Sequence, residues 1–590
     1  MERRRIAVSL LLSLALINIP QAQQATNEEL SIPSVRVTTR LVLVSAVVTD
    51  KSGQRIKDLK ADNFTILENG KPQKITAFHF ESRGFESTPK PAPTMPPNIY
   101  TNRPEYNMPQ GPLTIILLDG MNTAVTDQQS ARTQVLKYLA TQLQPGQRVS
   151  VYTMASSLNL MQDFTDDVTV LKAAVEKFTP QKSIELQRAE IDQLLPTIHT
   201  TGDVGVHGGA DQARSTLLHI SDFLHDQKTF EDKERAQRTI AAMKLLSRRL
   251  AGYPGRKNLV WVSAGFPIAL TSQVQRLSTD SDTLAQGAND SAGERVEDNF
   301  ESDLHELAAQ LTDAQISVYS VDARGLVGSG TEDASRQGTN AAGFLRTGAE
   351  YGAALRSGGE ALQRSQDTLL TLSTESGGRL FKNGNDLAGA VATSVADGSA
   401  YYLLGYYPDN KNWDGKFRKI QVKLDKPDLE IRAREGYFAR DASQWAKSKD
   451  KTRDNELAAS MALGMPSETM VIFDSRVVPP EPSSKMKVPI QFLVNPLTVA
   501  GEQTSDGGRH YVIEFHVAAY SSEGKLVAQK NNAIDAPIKG DQLQAFMQRG
   551  IPFNTDLDLG PGRYRLRLVV RDGRTGYTGS TEIPLTLGNK

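Results

Sequence analysis

Residues Leu113–Thr123 read LTIILLDGMNT. An unbroken apolar run ends in one acid, Asp119, and passes straight into small and polar residues. A half-exposed strand would alternate, so an unbroken run suits a strand buried on both faces, as in a parallel sheet. Ligands of open α/β sheets bind outside the carboxyl ends of the strands, where the run places Asp119. A carboxylate there is either a metal ligand or, with Asn122 as the other candidate, a cap for the next helix.

Outward from this strand the pattern alternates between helix and strand. Gln128–Leu143 puts Ala131, Val135, Tyr138, Leu139 and Leu143 on one helical face, and Asp166–Phe178 is a second amphipathic helix. Val149–Met154, Leu259–Ser263 and Ile316–Val321 read as further strands, the last preceded by helix Phe300–Thr312. Such alternation predicts an α/β class, a doubly wound, mostly parallel sheet over residues 113–440. Two insertions interrupt it, at about 180–255 and 325–360. The first is expected to hold helices Ser183–Leu195, Ala210–Leu224 and Lys233–Leu250; the second is rich in Gly, Ser, Thr and Ala. Helix Gln366–Thr374, strand Arg379–Phe381 and helix Asp386–Ala396 follow, then a hairpin of Tyr401–Tyr407 and Phe417–Leu424.

The flanks read as β-structure. Residues 33–84 form a small β-domain whose Asn69-Gly70 favours a tight hairpin. Proline-rich 85–112 and charged 441–465 are linkers, and 466–590 is a β-sandwich. Residues 1–25 read as a signal peptide, Arg3-Arg4-Arg5 preceding the apolar Ile6–Ile19, with an uncleaved anchor as the alternative. No other apolar run is long enough for a membrane helix.

Composition excludes several classes. Across 590 residues Lys+Arg 67 balance Asp+Glu 68, without the basic excess of a nucleic-acid protein. Cysteine is absent, which removes disulfides, thiolate nucleophiles and zinc-thiolate sites. His219 and His225, six residues apart, would stand about 120° apart around a continuous helix, which is poor metal-ligand spacing. No HExxH, P-loop or GxSxG motif occurs. Glycine-rich Gly202–Gly209 lacks the preceding strand and following lysine of a phosphate loop and reads as a connector. Tyr401, Tyr402, Tyr406 and Tyr407 either form a binding face or cover a sheet edge.

The order of parts between Leu113 and Val321 resembles a von Willebrand factor type A domain. That resemblance implies a divalent-cation adhesion site at the strand ends. Carried over, Asp119 is the aspartate and Thr123 the second hydroxyl, while Met121 stands at the first hydroxyl position and Ala264 at the second acid. Thr200, Thr201 and Thr216 are candidates for the remaining threonine. Losing a carboxylate weakens a hard-cation site sharply, so no tight metal is expected. More widely, LLDGMNT, VSAGFP, VYSVDARGL, SGGRLF, SAYYLLGYYPDN, GKFRKIQVKL and RAREGYFA occur in order. Over Val35–Ala439 this is similar to the von Willebrand factor A-related proteins typical of acidobacteria.

The expectation is an exported, non-enzymatic protein-binding or scaffolding protein, secreted or periplasmic, at the cell envelope. Loops at the top of the central sheet would bind a protein partner through Asn122, Ser263 and Phe266. The first alternative is a divalent-metal-dependent adhesin holding Mg²⁺ or Ca²⁺ on Asp119 and Thr123, with Asp203, Asp211 or Asp322 as the missing acid. The remote alternative is a serine hydrolase built on Ser263, which needs a histidine within hydrogen-bond reach.

Overall fold

The structure, a computed structural model, describes residues 41–82, 95–107, 113–181, 210–265, 290–325, 348–384, 386–439, 450–481, 486–505 and 507–588. The signal segment, helix 183–195, loop 202–209, Thr200, Thr201, Asp203 and Phe266 lie outside these residues, as do the side chains of Asp211, Thr216, His219 and His225.

The chain opens with β1 (Val42–Asp50), β2 (Phe64–Glu68), β3 (Lys71–Gln73) and β4 (Ile75–Ser82). Asn69 and Gly70 take φ values of 48° and 80°, the left-handed pair that a two-residue hairpin between β2 and β3 requires. A short strand, β5 (Ile99–Thr101), then precedes the central unit.

In that unit β6 (Leu113–Asp119), α1 (Val125–Thr141), β7 (Arg148–Met154), β8 (Leu158–Thr165) and α2 (Val168–Glu176) come first. They are followed by α3 (Ala210–Ala251), β9 (Lys257–Ser263), α4 (Asp290–Asp313), β10 (Ile316–Asp322), α5 (Gly348–Glu375), β11 (Arg379–Phe381) and α6 (Leu387–Ser399). The strands form one sheet in the order β11-β10-β9-β6-β7-β8. Every residue of β6, β9 and β10 is buried, because both faces are covered. Ile115, Leu117 and Trp261 pack against Met243, Leu246 and Leu304 of α3 and α4. Ile116, Leu118 and Val260 pack on the other face against Val135 and Leu139 of α1 and Val391 of α6. The two helices expected within 210–250 are a single one, α3, and α5 runs back into the glycine-rich stretch before Gln366.

After α6 the chain returns to the first segment with β12 (Ala400–Tyr406), β13 (Phe417–Leu424), β14 (Leu429–Arg432) and β15 (Gly436–Phe438). These interleave with β1–β4 as two antiparallel sheets, β14-β1-β12-β4 and β15-β13-β2-β3, over a common core.

Helix α7 (Asp450–Ser460) leads to β16 (Phe473–Val477), β17 (Met486–Val494), β18 (Gly501–Gln503), β19 (Arg509–Ser521) and β20 (Leu526–Ile538). Helix α8 (Gly540–Arg549), β21 (Ile551–Leu559), β22 (Gly562–Asp572) and β23 (Thr578–Leu587) complete the chain. One sheet, β21-β17-β16-β5, incorporates the strand from before the central unit; it faces β18-β19-β22-β23, with β20 on β19, across a shared core.

The expected fold class is therefore corrected. Most strands are antiparallel, four of the five sheets contain no parallel pair, and the sheet that has parallel pairs is mixed, with β8 antiparallel to β7. The alternation around Leu113 describes one stretch of sequence, whereas antiparallel pairing between distant segments decides the class of the chain.

Candidate functional site

The carboxyl ends of β6 and β9 bring Asp119 and Ser263 together. Asp119 Oδ1 accepts the backbone N–H groups of Met121 and Asn122, each at 3.0 Å. Its Oδ2 accepts from Ser263 Oγ at 2.6 Å, Asn122 Nδ2 at 2.8 Å and Trp261 Nε1 at 3.2 Å. Five protein donors thus occupy the carboxylate, which is 2% exposed. Burial pushes its pKa up, and the bonds from Ser263, Asn122 and Trp261 pull against that shift.

The loop after β6 is pinned on every side. Gly120 N and Met121 N donate to Met154 O at 2.7 and 3.1 Å, tying the loop to β7. Asn122 Nδ2 also donates to Thr239 Oγ1 of α3 at 2.9 Å, and that hydroxyl reaches Met121 Sδ at 3.5 Å. A thioether contact thus fills the position where the resemblance calls for a hydroxyl ligand. Thr123 is buried; its Oγ1 accepts Ala264 N at 3.2 Å and its carbonyl accepts Gln128 Nε2 at 2.7 Å. The crevice bounded by Asp119, Thr123, Gln128 and Phe178 has no room for a water molecule. Asp119 does not cap the next helix: the N-cap of α1 is Ala124, without a side-chain bond, and Asp119 caps its own loop instead.

Ser263 is buried, its hydroxyl donating to Asp119 and accepting Gly265 N at 2.9 Å. Asp322 lies at the end of β10 but is held by Arg324 Nε and Nη2, at 2.8 and 2.9 Å, and by Gln366 Nε2 at 3.0 Å. Among the described residues no three His, Asp or Glu side chains gather as a metal cluster. Of the four tyrosines, Tyr401, Tyr402 and Tyr406 are buried and only Tyr407 is exposed. Tyr402 Oη donates to Ile56 O, and Tyr406 Oη to Glu68 Oε2, so three of them build core rather than a binding face.

Sequence reasoning missed Trp261. Its indole N–H reads Asp119 from the neighbouring strand, and only the β6–β9 register brings the two together. It also missed Asp127 of α1, whose carboxyl is pushed up by burial while Arg324 pulls it down and Asp322 adds to the rise.

No known family profile matches the chain, and no curated protein matches it. Solved structures with some likeness include an aerotolerance-related membrane protein from Bacteroides fragilis NCTC 9343 carrying multiple mutations to serine. It is 12% identical, aligns 48% of this chain with 99% of its own, and has a TM-score of 0.23. The hypothetical protein BatB from Bacteroides thetaiotaomicron is 12% identical over 48% of this chain and 98% of its own, at a TM-score of 0.21. The pilus adhesin SpaC of Lactobacillus rhamnosus GG, in an open conformation, is 9% identical over 91% of this chain and 71% of its own, at a TM-score of 0.24. Scores this low decide neither fold nor function. Among the described residues no helix is long and apolar enough to cross a membrane.

Proposed function

We propose that this protein is a metal-independent, non-catalytic protein-binding scaffold of the cell envelope, with the top of the central sheet as its platform. The observation that carries this reading is the occupation of Asp119 by five protein donors. A hard cation needs carboxylate lone pairs and room for oxygens around it, and here the lone pairs serve to lock a loop. Asn122 and Ser263 are buried and shape the strand ends from below, so contact with a partner falls to exposed residues on the first turns of α1 such as Thr126, Gln129 and Ser130. The arginine-led apolar amino terminus supports export.

Thermal unfolding in EDTA, and then in excess Mg²⁺, Ca²⁺ or Mn²⁺, tests the metal-independent half. A cation at about a hundred times its dissociation constant would stabilise the native chain by about 2.7 kcal/mol. No shift is expected; a shift that disappears in Asp119→Ala would restore the adhesin. For the platform, an envelope partner should be retained in EDTA by the wild type and released by Thr126→Arg.

A further inference from the structure

A cleft of about 370 Å³ opens where the central unit meets the C-terminal sandwich. Met95, Ile99 and Tyr100 come to it from around β5, Asp163 from β8, Tyr253 from beyond α3, and Thr469 and Glu582 from the sandwich. Its size is within the range of small-ligand sites, which lie at about 300–1,000 Å³ and favour module junctions.

The charges in it are unequal. Glu582 is already met by Arg565 Nε at 3.3 Å and Gly464 N at 3.0 Å. Asp163 is an exposed residue of β8 on the rim of the cleft; it accepts the N–H of its neighbour Phe164 at 2.8 Å and has no ion-pair partner among the described residues. Thr469, 2% exposed, has a hydroxyl without a hydrogen-bond partner, and so has fully buried Tyr152 nearby. The Tyr253 phenol is pushed up by burial and by the charge of Asp163. An uncompensated carboxylate beside aromatic rings and apolar side chains suits a cation on a short hydrocarbon stem.

We propose that this cleft binds an alkylammonium group, with Asp163 as its counter-charge, Tyr100 and Tyr253 as its aromatic walls, and Met95 and Ile99 along its methylenes. An anion would face two carboxylates. A divalent ion would lack a third acid among the described residues and would leave most of the volume unfilled. A neutral ligand would make no use of the acidic rim that Asp163 and Glu582 form. This site stands apart from the Asp119 platform, and neither reading depends on the other.

Calorimetric titration of the full chain at pH 8 tests it, with cadaverine and Nα-acetyl-lysine amide as probes and 1,5-pentanediol as the neutral control. At least one amine should bind and the diol should not. Asp163→Asn should weaken amine binding about tenfold or more, and Glu582→Gln less than about threefold. Tighter binding of cadaverine marks a free diamine as the ligand class, and tighter binding of the lysine amide marks a partner's lysine side chain. Absence of heat with both amines, equal binding of the diol, or equal losses in the two variants would each overturn the proposal. Were Asp163→Asn to misfold, the wild-type contrast between amine and diol decides alone.

Discussion

Asp119 shows how a single buried carboxylate can lock a loop from within. Its five donors come from its own loop and from β9. Met121 N and Asn122 Nδ2 have second acceptors, but removing Asp119 takes the acceptor from Asn122 N, Ser263 Oγ and Trp261 Nε1 in a dry environment. Asp119→Ala should cost about 3–5 kcal/mol in denaturant unfolding, and a loss below about 1 kcal/mol would refute the locking role. Glu514 makes a second residue-scale test. Burial alone would raise its pKa; His516 and Arg571, through hydrogen bonds and charge, more than offset that and hold it at about 2. The folded value lies below the unfolded one, so the stabilisation is fully present above the unfolded pKa of about 4.3 and is lost as pH falls toward the folded value. Glu514→Gln should therefore be less stable than wild type by about 2–3 kcal/mol at pH 7, a gap that closes by about pH 2. A gap constant with pH would mean that its charge contributes nothing. The i, i+2 spacing of Glu514 and His516 on one strand face is visible in the sequence, but Arg571 comes from another strand through the β19–β22 register.

At the scale of elements, what could be read locally was what a local pattern encodes. The apolar runs of β6, β9 and β10 are buried strands, and the stripe of Ala131, Val135, Tyr138 and Leu139 faces the core. Strand partners were not readable, because register between distant segments leaves no trace in either one. Tyr402 Oη reaches Ile56 O across 346 residues, and β5 crosses the chain to pair with β16. Leu369 and Leu372 anchor the last turns of helix α5 in the core. The join between α3 and the C-terminal sandwich is equally hidden, and it rests on a close approach at Gly252. A Cβ there would lie 1.8 Å from Thr469 Oγ1 and 2.6 Å from the Thr469 backbone carbon. Because backbone must shift, Gly252→Ala should cost about 1–3 kcal/mol and quicken proteolysis of the junction, whereas unchanged stability and cleavage would show that the join is slack.

At the scale of the whole molecule, a buried charge ties the core of the central sheet to that of the adjoining β-structure. Asp397, at the end of α6, is fully buried and accepts Arg432 Nη1 at 2.7 Å, Arg432 Nη2 at 2.9 Å, Arg55 Nη2 at 2.9 Å and Tyr319 Oη at 3.0 Å. Arg55 and Arg432 belong to the β-structure built from the two ends of the central unit, and Tyr319 belongs to the central sheet. That β-structure must bring together segments some hundreds of residues apart, a closure whose entropic cost falls once the central unit has folded between them. Asp397 then couples the two bodies, since either one alone would leave its charges unpaired. Asp397→Asn keeps the volume and removes the charge, leaving two arginines without their counter-ion at a cost of about 3–5 kcal/mol. Scanning calorimetry should show the coupling directly: where wild type melts these two bodies in one transition, the variant should split it, with the β-structure melting first. One transition at an unshifted Tm would mean that backbone continuity alone, and not the buried carboxylate, holds the bodies together.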